Sequence, residues 1–196
     1  MNILICGVGG QGTILASKIL AESAVIDGSD VARTGETIGM SQRGGSVVSH
    51  VRTEKTSSPY IPKGSADILI AFEKCEAARC LPFLKPGGKA VVSLSEIKPV
   101  AVSLGVMAYD SKAMESFIKT YAESIFIDTE KLAAPFMDGK CTNTLLLGAA
   151  FGKGFINITE DSVKKAMEKL IKPRFLDVNI KAFEAGIEAV KDRGNV

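Results

Sequence analysis

Gly7-Val8-Gly9-Gly10-Gln11-Gly12 sets glycines at G-x-G-x-x-G spacing directly after the apolar run Asn2–Cys6. Glycines let a backbone approach a phosphate closely, and a helix starting at Thr13 would aim free N–H groups and a positive dipole end at the same point. Gly7, Gly9, Gly10, Gln11 and Gly12 are therefore candidate phosphate-binding residues; a purely structural tight turn is the other use of the same loop. An NAD site also needs an acid at the end of the second strand. Here Asp27 and Asp30 precede that strand and Glu36 falls in a glycine-rich stretch, so NAD(P) is disfavoured.

That stretch, Gly35-Glu36-Thr37-Ile38-Gly39-Met40-Ser41-Gln42-Arg43-Gly44-Gly45-Ser46, is longer and more polar than a turn between two strands requires. Ser41, Gln42, Arg43, Gly44 and Gly45 put a planar guanidinium beside two glycines. Paired donors and open amides can then meet an anion, on a cofactor or on a partner protein.

The remaining reactive side chains read as structural. Cys6, Cys75, Cys80 and Cys141 contain no C-x-x-C pair, and the C-x4-C pair of Cys75 and Cys80 cannot complete a four-thiolate site, so no metal ligands are expected. The one histidine, His50, lies in a predicted strand and reads as a packed or hydrogen-bonded residue rather than a general base. Glu73 and Glu76 read as the first turn of a helix rather than an acid/base pair. No catalytic residue emerges.

The elements that must hold these loops alternate. Asn2–Cys6 is a buried strand, and Thr13 to about Asp27 a helix that Gly28 can close. An extended piece near Asp30–Thr34 precedes the long loop, and Ser46–Thr53 follows as a strand. Asp67–Phe72 reads as a strand, Glu73–Leu84 as a helix, Lys85-Pro86-Gly87-Gly88 as a turn and Lys89–Leu94 as a strand. Val100–Tyr109 reads as a further strand, Ser111–Ala122 as a helix and Ser124–Asp128 as a short strand. After about Glu130 only helices follow, near Cys141–Phe151, Glu160–Ile171 and Phe175–Asp192. The last two are amphipathic, with Val163, Ala166, Met167 and Leu170 on one stripe and Leu176, Ile180, Phe183, Ile187 and Val190 on the other. Both stripes can cover the sheet, or leave a share for a partner subunit. The fold class is α/β, a doubly wound, mostly parallel, Rossmann-like sheet with a helical C-terminal region: a core over about 1–130 and helices over about 131–192 of a single domain.

Composition sets bounds. With 196 residues and 46% hydrophobic side chains the chain can bury a core without disulfides or metals. A net charge of +2 with scattered basic residues disfavours nucleic acid. No signal segment or membrane span is expected, which points to the cytoplasm.

Taken in order, Gly9-Gly10-Gln11-Gly12, the segment Gly35–Gly45 and Ala66-Asp67 resemble the γ-type domain of the pyruvate and related 2-oxoacid:ferredoxin oxidoreductases. The long second loop is most similar to the β subunit of the indolepyruvate branch. The resemblance continues through Phe72-Glu73, Leu84-Lys85-Pro86-Gly87-Gly88, Asn143–Gly148 and Asn179…Ala182-Phe183…Gly186, nearly the whole chain. It implies oxidative decarboxylation of a 2-oxoacid on thiamine diphosphate, with electrons passed through iron–sulfur clusters to ferredoxin and the acyl group to coenzyme A. In that branch thiamine and clusters belong to a larger α subunit. This chain would then be a cluster-free partner, inactive alone, with a coenzyme A contact at the glycine loops and a tendency to self-associate when isolated. The alternatives are a stand-alone nucleotide- or phosphate-binding protein and a non-catalytic assembly module.

Overall fold

The computed structural model describes residues 1–39, 45–53, 55–106, 108–136 and 140–191. Six strands, β1 (Asn2–Val8), β2 (Arg33–Ile38), β3 (Ser46–Arg52), β4 (Ala66–Ala71), β5 (Leu84–Ser93) and β6 (Glu123–Ile127), form one sheet in the order β2-β3-β1-β4-β5-β6. β1, β4, β5 and β6 run parallel. β3 is antiparallel to both β1 and β2, so a hairpin closes one edge and the sheet is mixed. The helices are α1 (Thr13–Ile26), α2 (Lys74–Cys80), α3 (Val100–Ser103), α4 (Ser111–Tyr121), α5 (Thr129–Ala133), α6 (Thr142–Gly152), α7 (Glu160–Leu170) and α8 (Pro173–Lys191).

β1 is apolar at nearly every position because both of its faces are covered. Ile3 and Ile5 join a core with α1, α6, α7 and α8, whereas Leu4 and Cys6 join a smaller one with α2 and α4. The expected stripes are buried in the first core. Val163, Ala166 and Met167 pack inward from α7 and Phe183, Ile187 and Val190 from α8, leaving Leu170 partly exposed. α6 is apolar all round and runs alongside α8. Thr144 hydrogen bonds Asn179, and Gly148 and Gly152 lie against Phe183 and Ile187, so the two helices are parallel and nearly in backbone contact. Gly28 closes α1 in the left-handed region at φ 97°, as expected.

Several expected elements differ. The predicted helix Glu73–Leu84 is α2 followed by a tight 3-10 turn at Leu81–Phe83, and the predicted turn Lys85-Pro86-Gly87-Gly88 lies inside β5, where the register with β4 shifts between Ala66 and Ile68. Gly35–Ile38 belongs to β2 and not to a loop: Gly35 is a glycine because Pro59 and Tyr60 lie over it, with a Cβ there 3.1 Å from Pro59. The predicted strand Val100–Tyr109 is the short helix α3 followed, among the described residues, by irregular chain. The Pro99 carbonyl accepts from Val102 and Ser103, and Gly105 at φ 73° ends the turn, so local bonds replace a ladder. Leu104 and Val106 are 73% and 74% exposed, and among the described residues no strand pairs with this segment.

Candidate functional site

α1 leaves β1 toward one face of the sheet and α2 leaves β4 toward the other. A crevice must therefore open between the C-terminal ends of β1 and β4, the position where open α/β sheets bind ligands. The loop Gly7–Gly12 lies at this point. Gly7 is buried beneath it, and a Cβ there would come within 2.7 Å of Gln11 Oε1 and 2.9 Å of Phe72 Cβ. Gln11 turns inward: its Oε1 accepts from Val8 N–H at 2.7 Å and its Nε2 donates to the Phe72 carbonyl at 3.1 Å. The side chain thus ties β1 to β4 across the crevice. Gly10 and Gly12 adopt φ 101° and 84°, and Gly10 faces open space.

The two glycine loops meet. Gly9 N–H donates to the Gly45 carbonyl at 2.9 Å, and Gly39 N–H to the Ser46 carbonyl at 2.8 Å, where the β2–β3 hairpin closes. Beside this junction a groove of about 520 Å³ is lined by Gly9, Gly10, Gly12, Thr13, Ile14, Ile38 and Val47. α1 has no side-chain cap, so no side chain of its own satisfies its first amides at this end of the groove. Of the expected site residues, Gly9, Gly10 and Gly12 line the groove and Gly45 is bonded to it. Gly7 and Gln11 lie underneath as supports. Ser41, Gln42, Arg43 and Gly44 fall outside the described residues.

The other side of the crevice holds charged groups that no local motif announces. Glu73 caps α2 by accepting from Glu76 N–H at 2.9 Å, and it also accepts from the Tyr109 hydroxyl at 2.7 Å. Burial first, and then the Glu73 carboxylate, push the Tyr109 phenol far above its ordinary value. Lys74 is buried, bonded to Glu96 at 2.8 Å, to Glu115 at 3.1 Å and to Ser111. Burial pulls its ammonium down, but the two carboxylates outweigh that and leave it raised. Glu76 accepts from Ser46 at 2.5 Å. These side chains satisfy one another and brace Glu96, Tyr109, Ser111 and Glu115 against α2. Glu96, Tyr109 and Glu115 sit more than 20 residues from Glu73 and Lys74, so only folding reveals the brace.

His50 also has a structural post. Its Nδ1 accepts from Ile61 N–H at 3.2 Å, its ring meets Tyr60 and Phe83 edge-on, and burial lowers its pKa so that it stays neutral. The Cys6 thiol is raised by burial and by its bond to Cys80. Among the described residues no three His, Cys, Asp or Glu side chains are grouped so as to hold a metal ion, and no helix is long and apolar enough to cross a membrane.

Residues 2–189 match the family described as pyruvate ferredoxin/flavodoxin oxidoreductase. The chain belongs to this family. It is 37% identical over 195 residues to the indolepyruvate oxidoreductase subunit IorB of Thermococcus kodakarensis, covering 97% of this chain and 96% of the relative. Among solved structures, the γ subunit of a keto/oxoacid ferredoxin oxidoreductase from Geobacter sulfurreducens PCA shares the fold with a TM-score of 0.67 and 24% identity, covering 95% of this chain and 96% of that one. The 2-oxoglutarate:ferredoxin oxidoreductase of Magnetococcus marinus has a TM-score of 0.70 at 19% identity. This chain aligns over 96% of its length with 31% of that larger polypeptide. The same fold is thus found both in a chain of similar length and within a longer polypeptide.

Proposed function

We propose that this chain is the smaller, cluster-free subunit of a cytoplasmic indolepyruvate-type 2-oxoacid:ferredoxin oxidoreductase, working with a larger α subunit and inactive without it. The similarity to IorB along almost the full length of both chains carries this reading. When bound in the α subunit, thiamine diphosphate supplies decarboxylation of the 2-oxoacid and iron–sulfur clusters carry electrons to ferredoxin. This chain's part is at the glycine-loop groove, where it contributes to holding coenzyme A.

The groove fits a phosphate-bearing, partly apolar molecule. Gly9 N–H is committed to Gly45, which leaves the amides of Gly10, Gly12 and Thr13 to orient a phosphate at the α1 N-terminus. Ile14, Ile38 and Val47 offer an apolar wall to the rest of the molecule. Arg43 belongs to the connection whose ends, Gly39 and Gly45, are fixed beside the groove, and its guanidinium suits a phosphate or a carboxylate of the α subunit. The Magnetococcus marinus enzyme, which carries coenzyme A and succinyl-CoA, supports this use of the fold.

The test is co-expression with a large subunit bearing thiamine and cluster motifs, followed by indolepyruvate oxidation with varied coenzyme A. The complex should be active where neither chain alone is. Arg43→Glu should raise the coenzyme A requirement or weaken assembly at least tenfold, equivalent to about 1.4 kcal/mol, and Arg43→Lys should rescue in part. Identical titrations for all three would remove the second loop from the site. Tight binding of NAD(P) or ATP by the isolated chain, with no association with the large subunit, would replace this reading by a stand-alone nucleotide-binding protein.

A further inference from the structure

Glu76 is a carboxylate only 4% exposed, and the capping of α2 does not require it, because Glu73 already accepts from the Glu76 N–H at that end. Burying such a charge is costly unless it is bonded. Its two donors come from different elements: the Ser46 hydroxyl of β3 at 2.5 Å and the half-exposed Arg79 guanidinium of α2 at 3.2 Å. A hydroxyl that donates to a carboxylate makes a shorter and stronger bond than one between neutral groups. Ser46 is therefore held more firmly than a half-buried serine at the start of a strand needs for its own satisfaction.

The place of this bond gives it a use. Ser46 lies opposite Val8, the last residue of β1, and the ladder between β1 and β3 ends at that pair. β3 and β4 flank β1, and α2 follows β4, so a bond from Ser46 to α2 spans the end of β1 where the first glycine loop begins. The backbone around Ser46 closes the groove beside it. The Ser46 carbonyl accepts from Gly39 N–H at 2.8 Å, and the neighbouring Gly45 carbonyl accepts from Gly9 N–H at 2.9 Å. Ile38 and Val47, the apolar wall, are the chain neighbours of Gly39 and Ser46. The Ser46 side chain thus ties the end of an edge hairpin across β1, just where backbone pairing with β1 stops.

We propose that Glu76, acting through Ser46, is a positioning residue of the glycine-loop groove. It fixes Ile38 and Val47 opposite the first glycine loop at the spacing that coenzyme A requires, an inference that rests on the coenzyme A reading of that groove. A binding constellation has to be held within about 0.5 Å of its productive geometry by side chains that are themselves bonded in place. Arg79 gives Glu76 that support from within α2. Glu73, the other buried carboxylate of the helix, is bonded to Tyr109 instead and supplies an internal comparison, a bond of the same kind that leads away from the groove.

Two measurements test the proposal. In the full chain, hydrogen exchange resolved to single amides should show Gly9 and Gly39 exchanging at least tenfold faster in Ser46→Ala than in the wild type. Ser46→Thr, which keeps the hydroxyl, should restore the slow rate. Tyr109→Phe cuts the hydroxyl bond to Glu73 and should lower the melting temperature without speeding those two amides. In the complex with the large subunit, Ser46→Ala should raise KM for coenzyme A at least tenfold while kcat at saturating coenzyme A stays within twofold. Glu76→Gln keeps an acceptor but loses the charge, so its KM should fall between wild type and Ser46→Ala. The double variant should be no worse than Ser46→Ala, since both changes act through one bond. Ser46→Thr and Tyr109→Phe should leave this KM unchanged. Should Ser46→Ala fail to assemble, Glu76→Gln against Ser46→Thr decides. Unchanged exchange at Gly9 and Gly39, or equal KM shifts in Ser46→Ala and Tyr109→Phe, would overturn the inference. Faster exchange with an unchanged coenzyme A KM would uphold the positioning role and remove coenzyme A from the groove.

Discussion

Gly148→Ala should destabilise this protein although it adds a single methyl group and raises intrinsic helix propensity. Gly148 faces α8 where the two backbones nearly touch. A Cβ built there falls 2.8 Å from the Phe183 carbonyl carbon and closer still to its oxygen. The obstruction is backbone, so no side-chain rotation relieves it, and α6 and α8 must part by well over about 0.5 Å, a gap that already forfeits about a quarter to a half of each contact across it. Overpacking of this kind costs about 1–3 kcal/mol, and the rigid obstacle places it near about 3. Replacing a helical glycine returns about 1 kcal/mol. The net loss is about 2 kcal/mol, or about 4–8 °C in melting temperature for a chain of this size. Gly186→Ala, whose Cβ would lie 2.9 Å from Ala149 N, opens the same seam from the other side. The double variant should therefore lose less than the sum of the singles. Calorimetry and urea titration of all four proteins make the comparison. A Gly148→Ala protein that melts at or above the wild-type temperature would refute the backbone-contact argument.

Gln11→Ala should cost about 2 kcal/mol, read as a lower urea midpoint, because it strands the Val8 N–H and the Phe72 carbonyl; Gln11→Glu should not rescue it, since a carboxylate has no N–H for that carbonyl. Stability should fall on acidification in two windows. The His50 pKa is depressed by burial, so the unfolded chain binds the proton first and stability declines as pH drops below the ordinary histidine value of about 6.5. Asp27 is held low by its bonds from Thr159 and Ser162, so its contribution persists until pH falls below the ordinary aspartate value of about 3.9 and is lost through its folded value. His50→Phe should flatten the first window, and a pH profile of melting temperature unchanged by it would show that another group is responsible. The isolated chain should self-associate through exposed Leu104 and Val106, and Leu104→Ser/Val106→Ser should reduce the sedimenting oligomer; a wild-type chain that stays monomeric at high concentration would count against this.

Local signals sufficed wherever one stretch of sequence determines its own geometry. The run Asn2–Cys6 had to be a strand buried on both faces, and the glycines after it had to be a turn at a helix start. Gly28 had to end that helix, and the stripes on α7 and α8 had to find a core. The order of the two glycine loops with the later landmarks was enough to indicate the family that residues 2–189 match.

What the sequence left open depends on residues far apart in the chain. Gly35 read as loop because a glycine among polar residues resembles a turn, and only the fold brings Pro59 and Tyr60 over it and makes it a strand residue. Val100–Tyr109 read as strand, yet a strand needs a neighbour to bond, and among the described residues none pairs with it. Gln11 read as a ligand contact, and only the fold shows that its amide also ties β1 to the Phe72 carbonyl of β4. The brace on Lys74 follows the same rule. A hydrogen bond or ion pair acts over about 3 Å, and which groups come within that distance is decided by sheet order and helix packing, so those sites became visible only once the chain was folded.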